Sequence, residues 1–199
     1  MKKLLTIIIL ILSFQSWVKA DNAKDFVIEG LSIGDSLLNY FSKKEINSKK
    51  QPLKMGKDKY SDEYSAYIYE DPSKLKNYEY LSLIFQSNDP KFIIQSISAR
   101  IEYDHQDISK CYELQNEIID QIRLIATNAI EDNQGKSKHR GLPDGNSYKT
   151  VTNFIYDDDS YIHISCYDFA KNDTDTPDRI SVSVLSSEYI DFQKNRAFK

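Results

Sequence analysis

Long hydrophobic runs, cysteines and excess positive charge are all scarce in this chain of 199 residues. Beyond the first twenty residues, no apolar run approaches the roughly 20 residues that span a bilayer. The chain has 2 cysteines, and two thiolates alone cannot complete a tetrahedral zinc site. Its 26 Lys and Arg are outnumbered by 30 Asp and Glu. That balance argues against a nucleic-acid partner, because such affinity comes mostly from neutralising phosphates.

Aromatic and apolar residues, by contrast, are plentiful. The chain is 40% hydrophobic and contains 14 Tyr and 9 Phe, which excludes a disordered, collagenous or coiled-coil protein. A chain of this size buries roughly 70% of the surface that its unfolded form exposes, so it can fold without metals. We expect residues 21–199 to form a single α+β domain.

The first twenty residues have the pattern of a secretory signal peptide. Lys2 and Lys3 precede an apolar run of nine over residues 4–12, and the segment ends with Val18, Lys19 and Ala20. This pattern predicts that residues 1–20 are cleaved and that the protein is periplasmic or secreted. An uncleaved anchor is the alternative, although nine helical residues cover under half of a roughly 30 Å hydrocarbon core.

Export gives the two cysteines a specific meaning, because an even pair in an oxidising compartment favours a disulfide. Cys111 lies on the apolar stripe of a predicted helix, and Cys166 shares the apolar face of a predicted strand with Ile162 and Ile164. A bridge closing a loop of about 55 residues would stabilise the fold by roughly 4 kcal/mol. Two unpaired buried thiols are the alternative.

The hydrophobic periodicity predicts two helices and six strands. The helices are expected over residues 32–41 and from about 107 to 131, and the strands over 64–70, 78–86, 93–103, 148–156, 161–169 and 180–185. Residues 43–59 and 132–146 have the composition of loops. The predicted fold is an antiparallel sheet with two helices on one face in the order α-βββ-α-βββ, and a duplicated α-βββ unit remains open.

The segment Gly30 to Gly34 matches the G-x-S-x-G nucleophile elbow, with Ser32 as the candidate serine. The downstream acid and histidine of such hydrolases are not evident at their usual places. The alternative is that Ser32 caps a helix, with Asp35 three residues later. A capping hydroxyl accepts a backbone N–H and does not act as a nucleophile.

Tyr161, His163 and Tyr167 alternate along one predicted strand and are candidate ligand-binding residues. The ordinary explanation is that aromatic residues favour strands and pair across them. The acid-rich turns at residues 157–159 and 172–178 lack the glycine and glutamate of an EF-hand loop. We therefore expect neither a bound metal nor a cofactor.

Residues 26–41, followed by Lys44, Glu45 and Ile46, resemble the start of small exported proteins of unknown function from marine bacteria with reduced genomes. In that family, a segment of the form IEG-x-S-x-GDSLL-x-YF follows the signal peptide. The resemblance implies export and supplies no catalytic residues.

These observations predict a non-enzymatic, exported (periplasmic) binding or protein-interaction module, with a serine hydrolase acting through Ser32 as the alternative. The expected partner is an envelope protein or a small ligand rather than nucleic acid. After cleavage of the leader, we expect the protein not to span a membrane.

Overall fold

A computed structural model describes residues 19–55, 59–105, 107–139, 146–170 and 176–197. This part of the chain contains one eight-stranded antiparallel sheet with the order β1-β2-β3-β4-β8-β7-β6-β5. The strands are β1 (Gln51–Lys54), β2 (Tyr60–Tyr69), β3 (Tyr80–Gln86), β4 (Ile94–Tyr103), β5 (Ile130–Lys138), β6 (Tyr148–Ile155), β7 (Tyr161–Asp168) and β8 (Asp178–Leu185). Strands β4 and β8 therefore meet at the centre.

Three α-helices accompany the sheet in the described part of the chain: α1 (Lys43–Lys49), α2 (Ile108–Ile125) and α3 (Ser187–Phe192). A π-helical turn, Gln193–Ala197, extends α3. The predicted order α-βββ-α-βββ with two helices is therefore wrong. A duplicated α-βββ unit is also wrong, because four strands precede α2 and four follow it.

The first predicted helix is replaced by turns that are tied to the sheet. Gly34 has a φ of 91°, in the left-handed region, and its N–H donates to the Ile94 carbonyl over 2.8 Å. A helix cannot continue through that conformation. Helix α1 begins later, where the Ser42 hydroxyl accepts from the Glu45 N–H. Ser42 and Glu45 have the capping-box spacing. This signal falls at the start of residues 43–59, the segment predicted to be a loop.

Two edge strands lie in segments predicted to be loops. Strand β5 is almost entirely exposed, and a bulge between Asn133 and Gly135 interrupts its pairing with β6. At the opposite edge, β1 contains Pro52, which has no N–H to donate. Edge strands need no continuous apolar face, so the alternation that reveals buried strands is absent from both.

The larger apolar core lies between the sheet and α2. Five apolar side chains of α2 are buried there: Cys111, Leu114, Ile118, Ile119 and Ile122. Cys111 is joined to Cys166 of β7 in a disulfide whose Cα atoms are 6.0 Å apart. Helix α2 is thus covalently fixed across the middle of the sheet.

A second, smaller core lies on the opposite side of the sheet, beneath α3. It consists of Tyr64, Ala66, Ile84, Leu185, Tyr189, Ile190, Phe192 and Ala197. Helices therefore pack on both sides of the sheet rather than on one. Among the described residues, no helix combines the length and apolar character required to cross a membrane.

Part of the α3 side of the sheet belongs to neither apolar core. We call this region the open face. Strand register places these central side chains on that side, with Ser165, Ser181 and Ser183 buried: Tyr80, Ser98, Arg100, Glu102, His163, Ser165, Tyr167, Arg179, Ser181 and Ser183. It is a polar surface at the centre of the sheet.

Candidate functional site

Strand β7 carries all three aromatic residues predicted as ligand-binding candidates, but it gives them different surroundings. Tyr161 packs against the apolar core beneath α3, and burial raises the pKa of its phenol. His163 and Tyr167 lie on the open face, further along the strand. Only these two of the three predicted residues therefore border the polar surface.

His163 takes part in a hydrogen-bonded chain that runs to the β5 edge. Its Nδ1 lies 2.8 Å from Oδ1 of Asn153, and Asn153 Nδ2 donates to Asp132 over 3.2 Å. Burial, assisted by the positive charge of Lys149, lowers the pKa of His163 to about 4. The imidazole is therefore neutral at neutral pH and is a weak general base.

Arg100 and Arg179 are prominent on the open face, and neither was among the candidate residues predicted from the sequence. The guanidinium carbon of Arg100 lies 4.4 Å from the ring centre of Tyr80. That of Arg179 lies 5.1 Å from the ring centre of Tyr167 and 5.0 Å from that of Phe169. Each arginine is thus stacked on an aromatic side chain of the neighbouring strand.

Both arginines lack a carboxylate partner in the part of the chain that the structure describes. No ion pair or hydrogen bond is formed by either guanidinium with these residues, and Nε of Arg179 is buried without a partner. Burial, followed by repulsion from Arg100, lowers the pKa of Arg179. Glu102 lies opposite Arg179 in the β4–β8 ladder and attracts it without forming an ion pair. The site therefore holds two cations close together with little neutralisation.

Serine hydroxyls form a hydrogen-bonded row beside Arg100, and Ser181 within it also neighbours Arg179. Ser183 Oγ donates to Ser98 Oγ over 2.9 Å, and Ser98 Oγ lies 3.1 Å from Ser181 Oγ. Ser165 Oγ is buried without a hydrogen-bond partner in the described residues. Ser183 lies opposite His163 in the β7–β8 ladder, but its hydroxyl donates to Ser98. Ser98, Ser181 and Ser183, which we call the serine row, therefore offer hydroxyl groups for hydrogen bonding but do not form a serine–histidine dyad.

A sequence signal for this site exists on both central strands. In β4, residues 96–100 read Ser-Ile-Ser-Ala-Arg, and in β8, residues 179–183 read Arg-Ile-Ser-Val-Ser. Each segment alternates apolar residues with serine and arginine, so the polar residues share one face. The convergence of the two segments depends on the pairing of β4 with β8, which the sequence pattern does not specify.

Ser32, the candidate nucleophile, is engaged in local turn structure. Its Oγ donates to the Phe26 carbonyl over 3.2 Å, and its N–H donates to the Asp35 carboxylate over 3.0 Å. No described histidine lies within hydrogen-bond distance of this hydroxyl. The expectation that Ser32 caps a helix is also wrong, because Ser36 caps the nearest 3-10 helix, Leu37–Asn39.

A buried carboxylate supports the aromatic side of the open face. Asp178 is 0% exposed, and its Oδ1 accepts the N–H of Phe169 over 2.8 Å. Burial raises the pKa of Asp178, while the nearby His105 opposes this shift. Asp178 thus fixes the backbone that carries Phe169 beneath Arg179.

Within the described ranges, no group of three or more His, Cys, Asp or Glu side chains is arranged to hold a metal ion. The polar groups that converge are instead hydrogen-bond donors. Comparison with family models, with curated proteins and with solved structures finds no match.

Proposed function

We propose that this chain is an exported, non-enzymatic binding module that contacts its ligand or partner through the open face. The observation that carries this proposal is the pair of stacked arginines, Arg100 and Arg179, without carboxylate partners in the described residues. Two like charges held together and partly desolvated are unfavourable for stability. Perturbed groups of this kind cluster at functional sites.

The same surface offers little for general acid–base or nucleophilic catalysis. His163 is neutral and weakly basic, and its Nδ1 is bound to Asn153. The serine hydroxyls hydrogen bond to one another and not to the imidazole. The surface offers fixed hydrogen-bond donors but no general base with a pKa near 7. This arrangement supports ligand binding rather than catalysis.

The proposed place of action is the periplasm or the extracellular space, and the proposed partner is an envelope protein or a small ligand. The disulfide between Cys111 and Cys166 and the signal-peptide pattern of residues 1–20 support this location. Intact-mass measurement of exported protein should give a chain that starts at Asp21. Recovery of Met1 on exported protein would contradict the proposed processing.

The role of the open face is tested by mapping where small molecules bind. We expect a fragment library screened by amide NMR to shift the signals of open-face residues on β4, β7 and β8. Ser98→Phe should block these shifts by covering the surface next to Arg100 and Ser181. Glu117→Phe, at an exposed site on α2, is the matched control and should leave them unchanged. Fragments that bind only around α2, or none at all, would refute the proposal.

A further inference from the structure

We propose that the open face binds a tetrahedral oxyanion, a phosphate or sulfate group, between Arg100 and Arg179. This inference rests on the proposed binding function and names the chemistry of its ligand. The group can belong to a free ion or to an ester, since both present the same charged oxygens to the protein.

The strand register brings the two guanidinium groups to one place. Arg100 lies opposite Ser181 in the β4–β8 ladder, and Arg179 lies two residues before Ser181. Diagonal neighbours of this kind have Cα atoms about 7–8 Å apart, on the same face of the sheet. The repulsion that lowers the pKa of Arg179 agrees with this proximity. Two long side chains at this spacing can contact one small anion together.

Aromatic contacts restrain both guanidinium groups, and because Nε of Arg179 is buried, its terminal nitrogens are the donors that remain for a ligand. Tyr80 holds Arg100, and Tyr167 with Phe169 holds Arg179. Stacking uses the face of the guanidinium, whereas hydrogen bonds to an oxyanion use its N–H edge. Because the planes are already held, little side-chain entropy remains to be lost when an anion binds.

The serine row supplies one further donor, Ser181, next to the two arginines. Ser183 donates to Ser98, which lies within hydrogen-bond distance of Ser181. When Ser98 in turn donates to Ser181, the Ser181 hydroxyl keeps its own proton for a ligand. Ser181 and the Glu102 carboxylate each lie beside both arginines, at opposite corners of the same block in the ladder, so an anion held by the two guanidinium groups sits on the Ser181 side.

The charges around the site favour an anionic ligand. Lys149 lies opposite Tyr167 in the β6–β7 ladder and adds a third positive charge on this side of the sheet. His163 contributes no charge at neutral pH. Glu102, the carboxylate opposite Arg179, is exposed and forms no ion pair with it in the described structure. Three cations thus face two carboxylates, Glu102 and the Glu70 that acts on Tyr80, so the local charge is positive on a chain whose net charge is −4.

The number of donors favours a tetrahedral anion over a carboxylate. A single guanidinium already donates two parallel hydrogen bonds to the two oxygens of a carboxylate. Two guanidinium groups and the Ser181 hydroxyl together offer more donors than a carboxylate can use. An anion with three or more oxygens can accept a hydrogen bond from each of them at once. Phosphate and sulfate groups have this geometry.

The test is a titration of the oxidised protein with inorganic phosphate at constant ionic strength, followed through the side-chain Nε–Hε NMR signals of arginine. We expect saturable shifts at Arg100 and Arg179. Arg123, which is paired with Asp120 and Glu131, is the internal control and should not shift. Glycerol phosphate and sulfate, titrated separately, distinguish an esterified phosphate from a free ion, and acetate tests for a carboxylate.

Variants then test the geometry of the site. Arg100→Lys and Arg179→Lys keep the positive charge but remove the bidentate hydrogen bonds of the guanidinium. Each should weaken phosphate binding about tenfold. Ser181→Ala should weaken it several-fold, and Lys110→Ala, an exposed control on α2, should leave it unchanged.

Three outcomes would overturn the inference: no saturable shift with any phosphate or sulfate compound, acetate binding as tightly as phosphate, or unchanged binding in both lysine variants. If uncharged fragments still bind the open face in those cases, the proposed function stands and only the oxyanion is wrong. If nothing binds there, both proposals fail.

Discussion

Gln115 and Thr150 join helix α2 to strand β6 through a part-buried hydrogen bond. Thr150 Oγ1 donates to Gln115 Oε1 over 2.6 Å, and Gln115 Nε2 donates to the carbonyls of Ile164 and Thr150 over 3.3 and 3.4 Å. Gln115 is only 5% exposed. An amide buried among apolar side chains is retained because each of its polar atoms has a partner.

Removal of this amide should destabilise the fold. We expect Gln115→Leu to lower the free energy of unfolding by about 1–3 kcal/mol, because the Thr150 hydroxyl loses its acceptor. Gln115→Leu combined with Thr150→Val should cost less than the sum of the two single changes. Urea denaturation measures these differences, with Asn116→Ala at an exposed helix site as the control. Strict additivity would show that the two side chains are not coupled.

The disulfide should contribute strongly to stability. Cys111 and Cys166 are separated by 55 residues, and Cys111→Ala with Cys166→Ala should lower the free energy of unfolding by about 2–5 kcal/mol. Denaturant unfolding of the oxidised protein and the double variant measures this loss. Mass spectrometry after alkylation without reduction should find no modified cysteine. Two alkylated thiols in native protein would contradict the pairing.

The stability of the protein should fall in mild acid because of His163. Its pKa is about 4 in the folded protein and about 6.5 when unfolded, so the unfolded chain binds a proton first as the pH falls. Stability is therefore lost as the pH falls from 6.5 towards 4, by at most about 3 kcal/mol. Unfolding free energies measured across this range should show a shallower slope in His163→Gln. A variant with the wild-type slope would show that another group is responsible.

A serine-hydrolase activity at Ser32 should be absent. The Ser32 hydroxyl donates to the Phe26 carbonyl, and no described histidine is placed to remove its proton. We expect a fluorophosphonate probe to label the wild-type protein no more than it labels Ser32→Ala. Labelling that disappears only in Ser32→Ala would restore the hydrolase alternative.

The central strands and the long helix could be predicted because their apolar residues are periodic. Leu81, Leu83 and Phe85 of β3 are buried on one face, as their alternation predicts, and the stripe of α2 faces the sheet. The predictions are wrong where the sequence has no periodic apolar residues. Strand β5 is polar on both sides, and Gly34 ends helical geometry where local spacing suggested a cap.

The candidate site depends on non-local pairing, which explains why the sequence revealed only part of it. Tyr167 and His163 could be placed on one face because they lie on a single strand. Arg100 and Arg179 are 79 positions apart in the sequence and become neighbours only through the β4–β8 ladder. Periodicity reports which side of a strand a residue occupies but not which strand lies beside it.

The bulge at Gly135 also affects how another chain could pair with the edge strand β5. It breaks the regular spacing of N–H and C=O groups along β5, and Lys136 and Lys138 follow it directly. Another chain that approached this edge would meet a kinked, charged strand and could not extend the ladder. The bulge and the lysines of β5 thus disfavour edge-to-edge association of the sheet through this strand.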